Sequence, residues 1–209
     1  MRLVLIRHGE TYANTLYGTQ KQQLIGALDN ELTKLNETGI KQAEEAKTLV
    51  EKYLPIDTIY VSDLTRTKQT ASIIFPNREY ILEPRLRERS LGSLEGVLLA
   101  EILQDERVMD LVDLDRDGVE RAMLVKPSDG ECYQDVFDRL REFLSTLDFE
   151  SDSTVALVSH FHTLRCLLYI LLDLEVDESL FALNIRNSYP YVLEYKNGRF
   201  QCISDDPRV

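Results

Sequence analysis

What the sequence does without narrows the field first. Its three cysteines, Cys132, Cys166 and Cys202, stand far apart and form no C-x-x-C pair. A disulfide framework is therefore excluded, and reduced thiols in an intracellular enzyme are expected. Cys166 sits in an apolar run and reads as core packing. Long hydrophobic stretches are missing too: the longest, 167–172, falls far short of the roughly 20 residues that span a bilayer. The apolar residues near Met1 are fewer than the about 7–15 of a secretory core. A cytoplasmic protein with no membrane partner is expected.

Basic residues are in short supply, 24 Lys and Arg against 36 Asp and Glu, for a formal charge of −12. A field of that sign repels nucleic acid, so no nucleic-acid partner is expected. It also sets a condition: an anionic ligand can be held only where positive charge is gathered locally. No repeat, low-complexity tract or Pro/Gly/Ser linker divides the chain. The expectation is one domain over 1–209, large enough to bury a substantial core. Oligomeric state is not encoded legibly, and a homodimer is compatible with the sequence.

What is present is an alternation of short apolar runs with helical periodicity, the pattern of an α/β fold. Strands are predicted at 3–6, 58–61, 79–82 and 155–158, apolar on both faces as buried parallel strands are. Ile40, Ala43, Ala46, Val50 and Tyr53 recur at helical spacing, as do Cys132, Val136, Phe137, Leu140, Phe143, Leu144 and Leu147. Further helices are predicted at 65–75, 95–114 and 163–172. Asn197-Gly198 between 191–195 and 199–203 signals a hairpin. The predicted architecture is a three-layer α/β sandwich, a mixed and mostly parallel sheet with helices on both faces. A lid or insertion is expected around 97–130, its irregular acidic part at 104–129.

Ligands of open α/β sheets collect beyond the carboxyl ends of the strands. Arg7 and His8 follow the first predicted strand, Arg66 the second, Arg85 and Glu88 the third, and His160 the fourth. Only three histidines exist, and two of them stand two residues past a strand. Two imidazoles, several guanidiniums and one carboxyl suit phosphoryl transfer. Arginine's planar fork matches phosphate oxygens, a neutral imidazole can attack phosphorus, and a glutamate can protonate the leaving oxygen. Flanking arginines should depress the His8 pKa, and a bound phosphate should raise that of Glu88.

The His160-Phe161-His162 triplet invites comparison with a zinc hydrolase, which would need further ligands and an open water position. His162 reads instead as a pocket-rim or structural residue. The stretch 113–124 imitates the start of a calcium loop but carries Leu124 where the bidentate Glu belongs.

With these residues in view, the chain resembles the histidine phosphatase (phosphoglycerate mutase-like) superfamily. Four blocks carry the resemblance, in the family's order: Arg7-His8-Gly9-Glu10-Thr11 with Asn14, then Ser62-Asp63-Leu64-Thr65-Arg66, then Leu86-Arg87-Glu88-Arg89-Ser90-Leu91-Gly92, and Leu157-Val158-Ser159-His160. The resemblance implies a phosphoglycerate mutase-like fold and transient phosphorylation of His8. It implies that Arg7, Arg66, Asn14 and His160 hold the phosphoryl oxygens and that Glu88 is the proton donor. No cofactor and no metal are implied, and the partner is a small phosphorylated metabolite. Phe161 stands where the family usually has glycine, which puts a bulky wall on the substrate pocket, and Ile25 stands where many members have glutamine. The mutases of the family carry a longer insertion and an Asn-Glu-Arg-His-Tyr-Gly version of the third block. Arg87-Glu88-Arg89-Ser90-Leu91-Gly92 and the shorter excursion therefore point to a phosphatase. A phosphoglycerate mutase-type transfer, a metal-dependent hydrolase and a non-catalytic phosphate sensor are the alternatives.

Overall fold

A computed structural model describes residues 1–102 and 119–204. The described elements follow the predicted alternation. Strand β1 (Arg2–Arg7) leads to the short helix α1 (Tyr12–Thr15) and then α2 (Glu37–Val50). Strand β2 (Thr58–Val61) is followed by α3 (Thr65–Ile74) and β3 (Ile81–Leu82). Next come α4 (Leu99–Ile102), α5 (Val119–Leu124) and α6 (Tyr133–Leu144). The chain ends with β4 (Thr154–Ser159), α7 (Phe161–Leu171), α8 (Ser179–Ala182), β5 (Pro190–Lys196) and β6 (Arg199–Cys202).

The six strands form one sheet in the order β3-β2-β4-β1-β5-β6, with β3, β2, β4 and β1 parallel and the last two antiparallel. Alternation along the central strands sends side chains to opposite faces. Val4, Ile6, Ala156 and Val158 pack against Ala43 and Ala46 of α2 and Ala71 of α3. Leu3, Leu5, Val155 and Leu157 pack against Phe137, Leu140 and Phe143 of α6 and Leu164 and Leu167 of α7. Three layers result, with a core on each side of the sheet. Every residue of β4 is buried because it has a strand on either side and helices on either face.

The hairpin also forms where expected. Asn197 and Gly198 both have positive φ, 54° and 78°, as a two-residue turn between antiparallel strands demands.

Some expectations need correction. The third strand is two residues long rather than four, and it is exposed, not buried: Ile81 is 51% accessible. It lies at the sheet edge and pairs with β2 alone. Ile40, assigned to the core stripe of α2, faces outward. The predicted helix 95–114 does not begin at Glu95, because Gly96 adopts φ +83° and Leu98 bridges to Gln23; helix starts only at Leu99. The remainder of that helix, most of the proposed 97–130 lid and the acidic part of the calcium-like stretch lie outside the described residues. Among the described residues no helix is long and apolar enough to cross a membrane.

Candidate active site

Strands β1 and β4 are parallel neighbours with Arg7 beside Ser159, so the residues that follow, His8 and His160, emerge side by side. Their ring centroids are 5.2 Å apart. The backbone turns sharply after His8, and Gly9 passes so close to Gly39 of α2 that a Cβ on either would collide with the other segment's backbone. The Gly9 N–H donates to Thr70 Oγ1 of α3 at 3.0 Å. Packing thus explains the glycine beside the histidine.

His8 is 5% exposed, and its Nδ1 lies 2.8 Å from the Gly9 carbonyl. A carbonyl only accepts, so Nδ1 carries the proton and Nε2 is left bare. Burial, then Arg66 and Arg7, hold the His8 pKa well below the ordinary value of 6.5, against the pull of the Gly9 carbonyl. The ring is neutral at physiological pH, the form a nucleophile needs.

The guanidiniums come from separate elements. Arg7 donates from Nη1 to the Ile185 carbonyl at 2.8 Å and stacks 4.7 Å from the Phe161 ring centroid. Burial lowers its pKa to about 10, so it stays charged near neutrality. Arg66, on α3, donates to Leu28 O and Gly26 O at 2.9 Å each and from Nε to His160 Nδ1 at 3.1 Å. Arginine cannot accept, so His160 Nδ1 is unprotonated and its Nε2–H donates to Ser62 Oγ at 2.8 Å.

Glu88 follows the turn Pro84–Leu86 and is 8% exposed. It accepts from the backbone N–H groups of Arg89 (2.9 Å), His162 (3.2 Å) and Thr163 (3.3 Å). Burial alone would raise its pKa. His162, the N–H donors and Arg66 more than offset that, leaving it below the usual carboxylate range.

Arg7, His8, Asn14, Arg66, Glu88 and Phe161 line one cavity of about 660 Å³, a volume suited to a small metabolite. Asn14 uses its Oδ1 to cap α1 through Thr11, at 2.9 Å. His160 is not on the wall. It is fully buried behind His8 with both ring nitrogens engaged, so it orients Arg66 rather than presenting a free donor. Arg85 is a further correction: it faces away from the cavity, clamped by Glu83 at 2.8 and 2.7 Å and reaching Glu142 at 3.2 Å. Among the described residues no group of three or more His, Cys, Asp or Glu side chains is placed to hold a metal ion.

Four wall residues escaped the sequence reading as site residues. Arg165, from the apolar face of α7, donates to Leu183 O and Phe181 O and lies 4.0 Å from the Phe161 ring. Its signal was a charge inside an apolar helix, which demands partners. Arg89 and Asn184 also line the cavity, and so does Asn187, whose Nδ2 donates to the His8 carbonyl at 2.8 Å. The local positive charge required by the acidic composition is therefore present as four guanidiniums around one carboxylate.

With that geometry established, comparison with known proteins places the chain. The histidine phosphatase superfamily (branch 1) profile matches residues 3–204, and the chain belongs to this superfamily. A Cronobacter sakazakii protein named a probable phosphoglycerate mutase, GpmB, is 34% identical over 182 residues, 83% of this chain and 76% of its own length. A solved structure of Bacillus stearothermophilus YhfR superposes with a TM-score of 0.80 at 26% identity, covering 100% of this chain and 99% of that one. Mycobacterial glucosyl-3-phosphoglycerate phosphatase gives a TM-score of 0.77 at 29% identity, covering 96% of each chain. The protein is thus a phosphoglycerate mutase-like enzyme of a superfamily whose matched members are named as phosphatases and mutases.

Proposed function

We propose that this enzyme hydrolyses small phosphomonoesters through a phosphohistidine on His8. The observation that carries the reading is the His8 tautomer: Nδ1–H is tied to the Gly9 carbonyl, and the bare Nε2 shares a cavity with Arg7, Arg66 and Glu88.

Nε2 attacks phosphorus, forming the N–P bond as the bond to the leaving oxygen breaks. Arg7 and Arg66, with the Asn14 amide, hold the phosphoryl oxygens and stabilise the charge spread over them. Glu88 gives its proton to the leaving alcohol. Its low resting pKa means that it must acquire that proton as the substrate dianion arrives beside it and opposes its ionisation. In the second half, the Glu88 carboxylate takes a proton from water, the water oxygen attacks phosphorus, and the N–P bond breaks to restore His8. His160 serves as a positioning residue for Arg66. None of these steps calls on a metal ion, so a chelator should leave the rate unchanged.

Trapping acid-labile phosphate on wild-type protein, and not on His8→Ala, is the expected result. Hydrolysis undiminished in His8→Ala would overturn the reading. The GpmB-named relatives favour a second reading, transfer between two hydroxyls of one substrate. Phosphorus NMR separates the two: inorganic phosphate accumulates for a phosphatase, a positional isomer for a mutase.

A further inference from the structure

The proposed hydrolysis uses Arg7 and Arg66 and leaves other cationic groups on the same wall without a task. Arg165 is held by two backbone carbonyls. Arg89 is not. It is 6% exposed, and its Nε and Nη1 are buried with no protein partner among the described residues. Such a group costs free energy unless something else accepts its hydrogen bonds. The nearby carboxylates are committed: Glu88 to backbone N–H groups, and Glu131 to Arg139 and the Ser90 N–H.

Arg89 lies 4.8 Å over the ring of Tyr133, which also supports the third histidine. Tyr133 Oη is 2.7 Å from His162 Nδ1. Burial pushes the Tyr133 pKa up, so the phenol keeps its proton. Burial likewise pulls His162 down to about 4, against the opposing effect of Glu88, so the ring is neutral. The phenol therefore donates to Nδ1, and the ring's own proton sits on Nε2, which has no partner among the described residues. His162 and Arg89 both line the cavity that holds His8.

We infer that Arg89 and His162, supported together by Tyr133, form a second anion subsite that takes a carboxylate carried by the leaving alcohol. The inference rests on the phosphomonoester reading above and narrows its substrate to phosphorylated hydroxy acids. Charge favours a monoanion there. The wall carries four guanidiniums, and a phosphoryl dianion with Glu88 balances three of them. Shape agrees, since a planar guanidinium fork matches the two oxygens of a carboxylate.

Calorimetric titration with phosphonates reads the subsite without turnover. Phosphonoacetate, 3-phosphonopropionate and 4-phosphonobutyrate vary the spacing, and each is compared with the alkylphosphonate that replaces its carboxylate by methyl. The best acid should bind wild type at least tenfold tighter than its methyl partner. That ratio should fall toward one in Arg89→Met, persist in part in Arg89→Lys, and drop less steeply in His162→Leu. A ratio near one in wild type, or one preserved in Arg89→Met, overturns the proposal. Tighter binding of 1,3-propanediphosphonate than of every carboxylated phosphonate also overturns it, in favour of a second phosphate. Failure of the subsite leaves phosphate trapping on His8 intact, whereas failure of the phosphohistidine reading abolishes trapping and leaves the phosphonate ratio standing.

Discussion

At the scale of single residues, the site's chemistry comes from protonation states fixed by neighbours. His8→Ala should lose roughly a thousandfold or more in kcat, as expected when a nucleophile is deleted. Glu88→Gln keeps the shape but removes the proton. Hydrolysis of an alkyl phosphate should then fall roughly 10²–10⁴-fold. An aryl phosphate, whose leaving group needs no proton, should lose much less in its phosphoenzyme burst. Burst amplitudes for the two esters check this. Arg7, His8, Glu88 and Arg66 were legible because each lies a fixed short distance beyond a strand. Arg85 shared that offset and misled, because only the structure shows Glu83 bending back to clamp it. Arg89 was quoted only as part of a motif, since nothing in a sequence reveals which arginine will find no acceptor.

The same residues make stability depend on pH with a definite sign. His8, His160 and His162 all have folded pKa values below the ordinary 6.5, in each case mainly through burial. The unfolded chain therefore binds more protons than the native state below about pH 6.5, and stability falls as pH drops through that point. For His162 the loss continues down to its folded value of about 4. Urea midpoints should decrease from pH 7 to pH 5, before most carboxylates begin to titrate.

At the scale of elements, the site depends on how closely β1, α2 and α3 approach. Gly9→Ala would drive a methyl group into the Gly39 carbonyl of α2. Overpacking of this kind costs about 1–3 kcal/mol, and more when backbone must move. Thermal unfolding should register the loss, and kcat should fall with it because His8 is the adjacent residue. Most elements were readable from apolar periodicity: β1, β2, β4, α2, α3, α6 and α7 all lie within a few residues of their predicted bounds. Periodicity could not show that β3 would pair on one side only, nor that Gly96 would adopt the positive φ that delays the helix to Leu99.

At the scale of the whole molecule, an acidic protein of net charge −12 concentrates four guanidiniums in one cavity. A phosphate mimic should therefore act as a strong native-state ligand. Vanadate at a hundred times its Kd should add about 2.7 kcal/mol of stability. For a chain of this size that is roughly 5–10 °C in Tm. Arg66→Ala should abolish most of the shift, and differential scanning calorimetry would measure it.

The pairing of Arg7 with Ser159 also makes the reaction centre sensitive to chain length. Insertion of one residue near the end of β4 would turn His160 toward the opposite face of the sheet, with every side chain of its own chemistry still present. Arg66 would then lose its imidazole acceptor and His8 its neighbour. Single-residue indels at this strand end should consequently be more damaging to turnover than many substitutions in the cavity itself.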